Sequence, residues 1–304
     1  MPTTNNLRPA VEISPDTLVY HDGAFRPYAQ ACYRVEERGV LFADGVYEVV
    51  RYDRGRAFRL DAHLRRMAAG MAAITMPAVD AAQLAGLCDE LVRRSRLTDA
   101  KLYIQAVRGP APRSFVIEAP QPPVLTLIAT PRPPLREDDP LPAGRAIVVD
   151  DCRWTRCNVK SLMLLPASLA RTQAQQCGAI EAIFERQKPG GTARHITEGA
   201  ASNVFVIQSG RLRTHRADQW ILPGVTRAVL FELAGRLGLP VDQTPFTRDE
   251  LLAADEVFAC STTWFAALTH VDDQPIADAT PGGWTRRLSA ALRREMLEPS
   301  EHDA

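Results

Sequence analysis

A proline-rich segment near the middle of the chain limits what this sequence can fold into more than any other feature. Residues 131–142 read PRPPLREDDPLP, with five prolines and five charged residues. Proline lacks a backbone N–H and fixes φ, so this density of proline excludes a continuous helix or a central strand. We therefore predict a small N-terminal domain at 1–130, a linker at 131–142 and a larger domain at 143–304.

Composition and charge narrow the class of protein. The chain has 304 residues, which suits two domains, and 46% of them are hydrophobic. Its 36 basic and 36 acidic residues balance, which argues against a nucleic-acid-binding protein. No apolar run approaches the roughly eighteen residues of a membrane span, and residues 1–10 lack the apolar core of a signal peptide. We expect a cytoplasmic protein with no nucleic-acid or membrane partner.

The cysteines and histidines show no spacing typical of a metal site. The six cysteines form no C-x-x-C pair, and the six histidines form no H-E-x-x-H pattern. We therefore predict reduced thiols and no bound metal.

Hydrophobic periodicity predicts strands and helices in both halves of the chain. The predicted strands are 18–20 and 24–25 (a hairpin), 46–52, 57–60, 101–108, 123–129, 146–149, 181–186, 196–207 and 256–260. The predicted helices are 61–74 with Asp61 as its cap, one starting near 80, 166–176, one ending near 238, and 284–297. Strands and helices mixed in this way predict an α+β or mixed α/β fold.

Lys160 is out of keeping with its neighbours. It stands between Val159 and the apolar run Leu162–Leu165. Burial disfavours the charged form of a lysine, lowers its pKa and leaves more of the nucleophilic free amine. Such a lysine can form a Schiff base with an aldehyde cofactor such as pyridoxal 5'-phosphate. The alternative is a surface lysine whose stem covers apolar residues while its ammonium group reaches water.

Other segments carry the groups that this cofactor needs. Glu198 opens an apolar strand and could hold the proton of the pyridine nitrogen. Gly224-Val225-Thr226 opens a helix, whose N–H groups can bind a phosphate, and Ser261-Thr262-Thr263 offers hydroxyls after a strand. Arg66 could add a charge-assisted contact. Taken singly, each has a simpler interpretation. Glu198 could lie in an exposed loop, Gly224-Val225-Thr226 could be a plain helix start, Ser261-Thr262-Thr263 a solvated turn, and Arg66 part of a solvated helix face.

Taken together, these segments resemble the class IV aminotransferases, which are fold-type-IV pyridoxal-phosphate enzymes. The resemblance runs from about Leu18 to Leu297, with the motifs in the order of the family. They are residues 38–48 (RGVLFADGVYE), 63–66 (HLRR), 158–162 (NVKSL), 197–199 (TEG), 222–227 (LPGVTR) and 261–263 (STT). The resemblance implies a two-domain fold with the cofactor at the domain interface, and a homodimer.

The resemblance also implies roles for individual residues. Lys160 would be the Schiff-base lysine and the acid–base group, and Glu198 would hold the pyridine nitrogen. The phosphate would be contacted by Arg66, Val225, Thr226 and Thr262, with Ser261 beside Thr262. Leu222 would pack against the ring, and Tyr47 would contact the substrate.

Within the class, the likeness is greatest to the D-amino-acid transaminases. Residues 44–50, 108–113 and 284–288 carry it. The chain departs from them at Phe115, where a histidine is usual, and at Trp264-Phe265, where a smaller and more polar pair is usual. The loop 187–194 is also longer than usual. We predict transfer of the amino group of a D-alanine-like donor to a 2-oxo acid acceptor, with ping-pong kinetics.

Three other functions stay open. The same fold could serve an (R)-selective amine transaminase or a branched-chain aminotransferase, which the added apolar bulk favours. It could also serve an aminodeoxychorismate lyase, which uses the cofactor for elimination. A binding protein that has lost the cofactor is disfavoured, because Lys160 and Glu198 are both present.

The last hypothesis concerns the substrate carboxylate. Arg113 matches the arginine that binds it in D-amino-acid transaminases, but Phe115 cannot donate a hydrogen bond. Strand alternation puts Tyr47 and Arg51 on one face, so Arg51 could be an auxiliary positive charge. The alternative is that the strand twists and Arg51 reaches solvent.

Overall fold

The computed structural model describes residues 13–117, 121–187 and 190–298, which form two β-sheets with helices packed on them. The sheets lie on either side of residues 132–142, which form neither helix nor strand. Residues 188–189 of the predicted loop lie outside the described residues, as do 1–12 and 299–304 of the two predicted domains.

The first sheet is antiparallel throughout, with the order β2-β1-β6-β5-β3-β4. Its strands are β1 (Leu18–His21), β2 (Ala24–Pro27), β3 (Gly45–Asp53), β4 (Arg56–Ala57), β5 (Ala100–Val107) and β6 (Val124–Pro131). Alternate residues of β3 point to opposite faces. Val46 and Val50 are buried in the core beneath the helices, whereas Tyr47 and Val49 are partly exposed on the other face.

The second sheet is mixed, with the order β12-β11-β10-β13-β14-β7-β8-β9 and β15 paired to β14. Its strands are β7 (Ala143–Asp150), β8 (Glu181–Gln187), β9 (Arg194–Gly199), β10 (Asn203–Gln208), β11 (Arg211–Arg213), β12 (Val241–Asp242), β13 (Glu256–Ser261), β14 (Trp264–Val271) and β15 (Gln274–Pro275). The pairs β14·β7, β7·β8 and β11·β12 are parallel.

Seven α-helices in the described residues cover these sheets. They are α1 (Arg38–Phe42), α2 (Leu60–Ala73), α3 (Ala81–Arg94), α4 (Leu165–Gln176), α5 (Val225–Arg236), α6 (Arg248–Leu252) and α7 (Gly283–Leu297), with a 3-10 turn at Tyr28–Gln30. Helix α2 buries Leu64, Met67 and Met71 against the first sheet. These residues recur at the spacing of one helical face, as the sequence predicted.

The predicted mixed α/β class is confirmed, while several element boundaries differ. Helix α2 begins at Leu60, after Arg59 in a left-handed conformation, so Asp61 lies in the first turn and is not the cap. The predicted strand 57–60 is limited to β4, because α2 starts at once after it. The predicted single strand 196–207 is divided into β9 and β10, with residues 200–202 between them. Within the part of the chain that the structure describes, no helix is both long and apolar enough to cross a membrane.

Candidate active site

A cavity of about 340 Å³ lies between the two sheets. Its volume is in the range of small-molecule sites. Nine of the eleven predicted site residues line it, and they come from segments far apart in the sequence. They are Tyr47, Arg66, Lys160, Glu198, Leu222, Val225, Thr226, Ser261 and Thr262.

Lys160 is held by the backbone at the edge of the first sheet. The N–H of Tyr47 donates to the Lys160 carbonyl at 3.0 Å, and Leu162 N–H donates to the Gly45 carbonyl at 3.0 Å. The Lys160 Nζ lies 4.4 Å from the centroid of the Tyr47 ring, a cation–π contact. The position of Lys160 is therefore set by backbone pairing and by one aromatic ring.

Glu198 lies near the end of β9 and is buried at the floor of the cavity. Its Oε1 accepts a hydrogen bond from Arg153 at 2.5 Å, and its Oε2 accepts from the Asn203 amide and the Leu222 N–H, each at 3.0 Å. Burial raises the pKa of the Glu198 carboxyl above its ordinary value, although Arg153 and the Leu222 N–H act in the opposite direction. The raised pKa makes Glu198 a better proton acceptor than an exposed glutamate.

Arg153 belongs to a buried chain of alternating charges that sequence reasoning missed. Beyond Glu198, it pairs with Asp151 through Nε–Oδ1 and Nη2–Oδ2 contacts of 2.9 Å each. Arg186 contacts the same Asp151 at 2.9 Å. Burial raises the pKa of Asp151, but the two guanidinium groups outweigh it and the net pKa is lowered. The only signal in the sequence was the position of Arg153 seven residues before Lys160.

One end of the cavity has the features of an anion site. Gly224 precedes α5, whose first N–H groups have no partner within the helix. The Thr226 hydroxyl is buried there and has no hydrogen-bond partner among the described residues. A Cβ at Gly224 would lie 2.1 Å from the Asn203 Oδ1, so only glycine permits this approach. An orphaned hydroxyl beside a helix N-terminus fits a phosphate group.

Arg66 lies beside this end and is fixed in place. Glu48 is fully buried and accepts two bonds of 2.7 Å from Arg66, through Nε and Nη2. Burial raises the pKa of Glu48, but Arg66 and His63 outweigh it and bring the pKa to about 2. His63 Nδ1 lies 2.7 Å from Glu48, and its Nε2 lies 3.5 Å from the Thr262 hydroxyl. The network joins α2 to the β13–β14 turn, and the sequence did not predict it.

Arg51 requires a correction. Its Nε and Nη2 contact Asp53 Oδ2 and Oδ1 at 2.5 and 2.7 Å, and the pair is buried. Among the described residues that line the cavity, Arg51 is absent. The prediction of a second free charge was wrong, because Asp53 follows two residues later on the same face and neutralises it.

Arg113 also lies outside the cavity of its own chain. It is exposed on the segment after β5, with its guanidinium 5.9 Å from the Phe42 ring centroid and 6.0 Å from that of Phe115. Phe115 itself is 85% exposed. Within a single copy of the chain, Arg113 therefore does not meet Lys160.

Comparison with known proteins identifies the family. The model of the amino-transferase class IV family matches residues 45–267. The D-alanine aminotransferase of Listeria innocua is 40% identical over 268 residues, covering 86% of this chain and 90% of that protein. The D-alanine aminotransferase of Bacillus licheniformis is 36% identical over 282 residues, covering 92% and 97%.

Solved structures agree in fold. The branched-chain aminotransferase of Thermoproteus uzoniensis with norvaline superposes with a TM-score of 0.82 at 25% identity, covering 94% of this chain and 97% of that one. The branched-chain amino acid aminotransferase of Thermobaculum terrenum in its PLP form gives a TM-score of 0.79 at 23% identity, covering 94% and 95%.

The fold and the lysine–glutamate cavity define a fold-type-IV pyridoxal-phosphate enzyme. The chain belongs to the class IV aminotransferases. The resemblance predicted from its motifs is confirmed, and so are the enzyme class and the cofactor.

Proposed function

We propose that this aminotransferase moves an amino group from a D-alanine-like D-amino acid to a 2-oxo acid, with ping-pong kinetics. The observation that carries the proposal is one cavity holding Lys160, Glu198 and the Thr226 anion site. The donor is inferred from the D-alanine aminotransferases, which resemble this chain over most of its length.

The predicted site residues that line the cavity have separate tasks in this proposal. When bound, pyridoxal phosphate supplies an electron sink for the negative charge that develops at the substrate α-carbon. Lys160 Nζ takes the α-proton and returns it, acting as the acid–base group. Glu198 would hold the proton of the ring nitrogen, and Leu222 would pack on the ring. Tyr47 orients Lys160 through their 4.4 Å contact.

The phosphate is held, in this proposal, by the end of the cavity that fits an anion. The N–H groups of Val225 and Thr226, the Thr226 hydroxyl and the Ser261–Thr262 turn would donate to it. Arg66, held by Glu48, would add charge. Water is limited there because Val225 and Thr226 are buried.

Arg66→Ala is expected to weaken cofactor binding, because it removes a charge-assisted contact of roughly 1.5–3 kcal/mol, or about 10- to 100-fold in Kd. The apo protein should also melt earlier, since the buried Glu48 loses its bidentate partner. Cofactor Kd by fluorescence titration and apo Tm measure the two effects separately. Arg65→Ala, on the exposed side of α2, is the control. An unchanged Kd would remove Arg66 from the phosphate site.

We further propose two domains, 1–130 and 143–304 with 131–142 as linker, and a cytoplasmic homodimer. Two observations support the dimer. Exposed apolar side chains, among them Leu164 and Met163, lie at the rim of the cavity, and Phe115 lies near Arg113. Arg113 does not line the cavity of its own chain, so its proposed contact with the substrate requires the cavity of a second copy.

Arg113→Leu is expected to raise the KM for amino acids strongly while sparing amines without a carboxylate, because Arg113 is the proposed carboxylate clamp. The comparison uses KM and kcat measured with D-alanine and with (R)-1-phenylethylamine. Arg51→Leu is the matched control. It should lower Tm, because it leaves the buried Asp53 without its ion-pair partner, but it should not change the ratio of the two KM values. Equal losses on both substrates in Arg113→Leu would contradict the clamp.

The test of the proposed function is a panel of half-reactions. Holoenzyme is mixed with D-alanine, L-leucine, D-glutamate or (R)-1-phenylethylamine, and loss of the cofactor absorbance is followed. D-Alanine and D-glutamate should react fastest. A preference for L-leucine would favour a branched-chain aminotransferase, and a preference for the amine would favour an amine transaminase. Phe115 stands where a histidine is usual, and this difference favours an amine transaminase.

A further inference from the structure

Lysine is scarce in this chain, and its distribution is uneven. Of 36 lysines and arginines, only Lys101, Lys160 and Lys188 are lysines. Lys188 lies outside the described residues. Lys101 and Lys160 line the same cavity, although they are 59 positions apart: Lys101 lies on β5, and Lys160 lies on the segment that pairs with β3. A second lysine therefore faces the space where substrate binds.

Apart from Lys160 itself, Lys101 is the cation lining the described part of the cavity that has no ion-pair partner. Arg66 pairs with Glu48, and Arg153 pairs with Glu198 and Asp151. The Lys101 ammonium has no hydrogen-bond or ion-pair partner in residues 13–117, 121–187 and 190–298; the Thr130 hydroxyl bonds its backbone carbonyl and not the ammonium. A negatively charged group entering the cavity would meet an uncompensated positive charge.

The sheet register fixes how far Lys101 lies from Tyr47 along the first sheet. On β3 and β5, Tyr47 is opposite Gln105, Val49 is opposite Tyr103 and Arg51 is opposite Lys101. Tyr47 contacts Lys160, and Lys101 lies four residues along β5 from Gln105, which is opposite Tyr47. The backbone of Lys101 is therefore about 14 Å from the level of Tyr47 along the strand direction. Val49 lines the wall between them. The order along the wall is reacting lysine, aromatic ring, apolar side chain and cation.

We infer that Lys101 binds the distal carboxylate of a dicarboxylic substrate, such as D-glutamate or its 2-oxo acid. The α-carboxylate is one bond from the reacting carbon and must stay near Lys160. A distal carboxylate is several bonds away, and the methylenes before it would pack on Val49. The ammonium group of lysine is a flexible point charge that can follow such a group. This inference rests on the proposed function and adds Lys101 to it as a specificity-determining residue.

The test compares Lys101→Met, which keeps length and loses charge, with Lys101→Arg, which keeps charge. Half-reaction kcat/KM is measured on holoenzyme with D-glutamate and with D-norvaline, which has a methyl group in place of the distal carboxylate. Lys101→Met should lose about 10- to 100-fold on D-glutamate, the effect of one charge-assisted hydrogen bond. The loss should appear in KM, D-norvaline should change little, and Lys101→Arg should keep most of the activity.

A binding measurement separates this inference from the proposed function. Glutarate and butyrate are titrated into wild-type and Lys101→Met holoenzyme by calorimetry, without turnover. Glutarate should bind more tightly to the wild type, and the advantage should vanish in the variant. If no D-amino acid reacts but this pattern holds, the proposed function fails and the inference stands. Equal losses on D-glutamate and D-norvaline, or an unchanged glutarate Kd, would overturn the inference.

Discussion

Lys160→Ala is expected to abolish transamination and the covalent attachment of the cofactor. In the proposed reaction this side chain supplies both the nucleophilic amine and the acid–base group, and a positioned acid–base group alone contributes about 10²- to 10⁴-fold. The fold should persist, because the segment is held through the Lys160 carbonyl and the Leu162 N–H and not through the ammonium group. Tm should therefore change little.

Intact-protein mass after borohydride reduction measures the attachment directly. Wild type should gain the mass of one reduced cofactor per chain, and Lys160→Ala should gain none. Lys101→Met is the matched control, since it removes the other described lysine of the cavity and should gain the same mass as wild type. Turnover near the wild-type rate in Lys160→Ala would mean that another group performs the reaction.

Glu198→Gln is expected to slow proton abstraction by at least ~10²-fold while the cofactor stays bound. A neutral amide no longer stabilises the protonated ring nitrogen. The amide also gives up the ion pair with Arg153, which keeps its second partner, Asp151. Single-turnover rates with D-alanine and cofactor stoichiometry by absorbance measure the two parts of the prediction.

Glu181→Gln is the matched control for Glu198→Gln. Glu181 is equally buried and hydrogen-bonded, to Ser202, but it does not line the cavity. Its loss should lower Tm without a comparable loss of rate. Should both variants turn over at the same rate as the wild type, Glu198 would have no part in the reaction.

Much of the site could be predicted because its chemistry lies in short motifs. Lys160 stands out locally by its apolar neighbours, and Gly224-Val225-Thr226 reads as a helix start from three letters. Their order along the chain matches one family, so the fold could be assigned without coordinates. Arg51 shows the limit of this reasoning, because strand alternation correctly predicts a shared face but not which neighbour takes up the charge.

Sequence by itself determined the family and the cofactor, and it predicted Lys160 and Glu198 as the lysine and the acid of the site, since each of these depends on residues close together in the chain. Only the tertiary structure decided which side chains surround them. Arg153 meets Glu198 across 45 positions, and Lys101 reaches the wall of the cavity through the β3–β5 register. Contacts of this kind depend on how strands pair and sheets pack, and local periodicity carries no information about either.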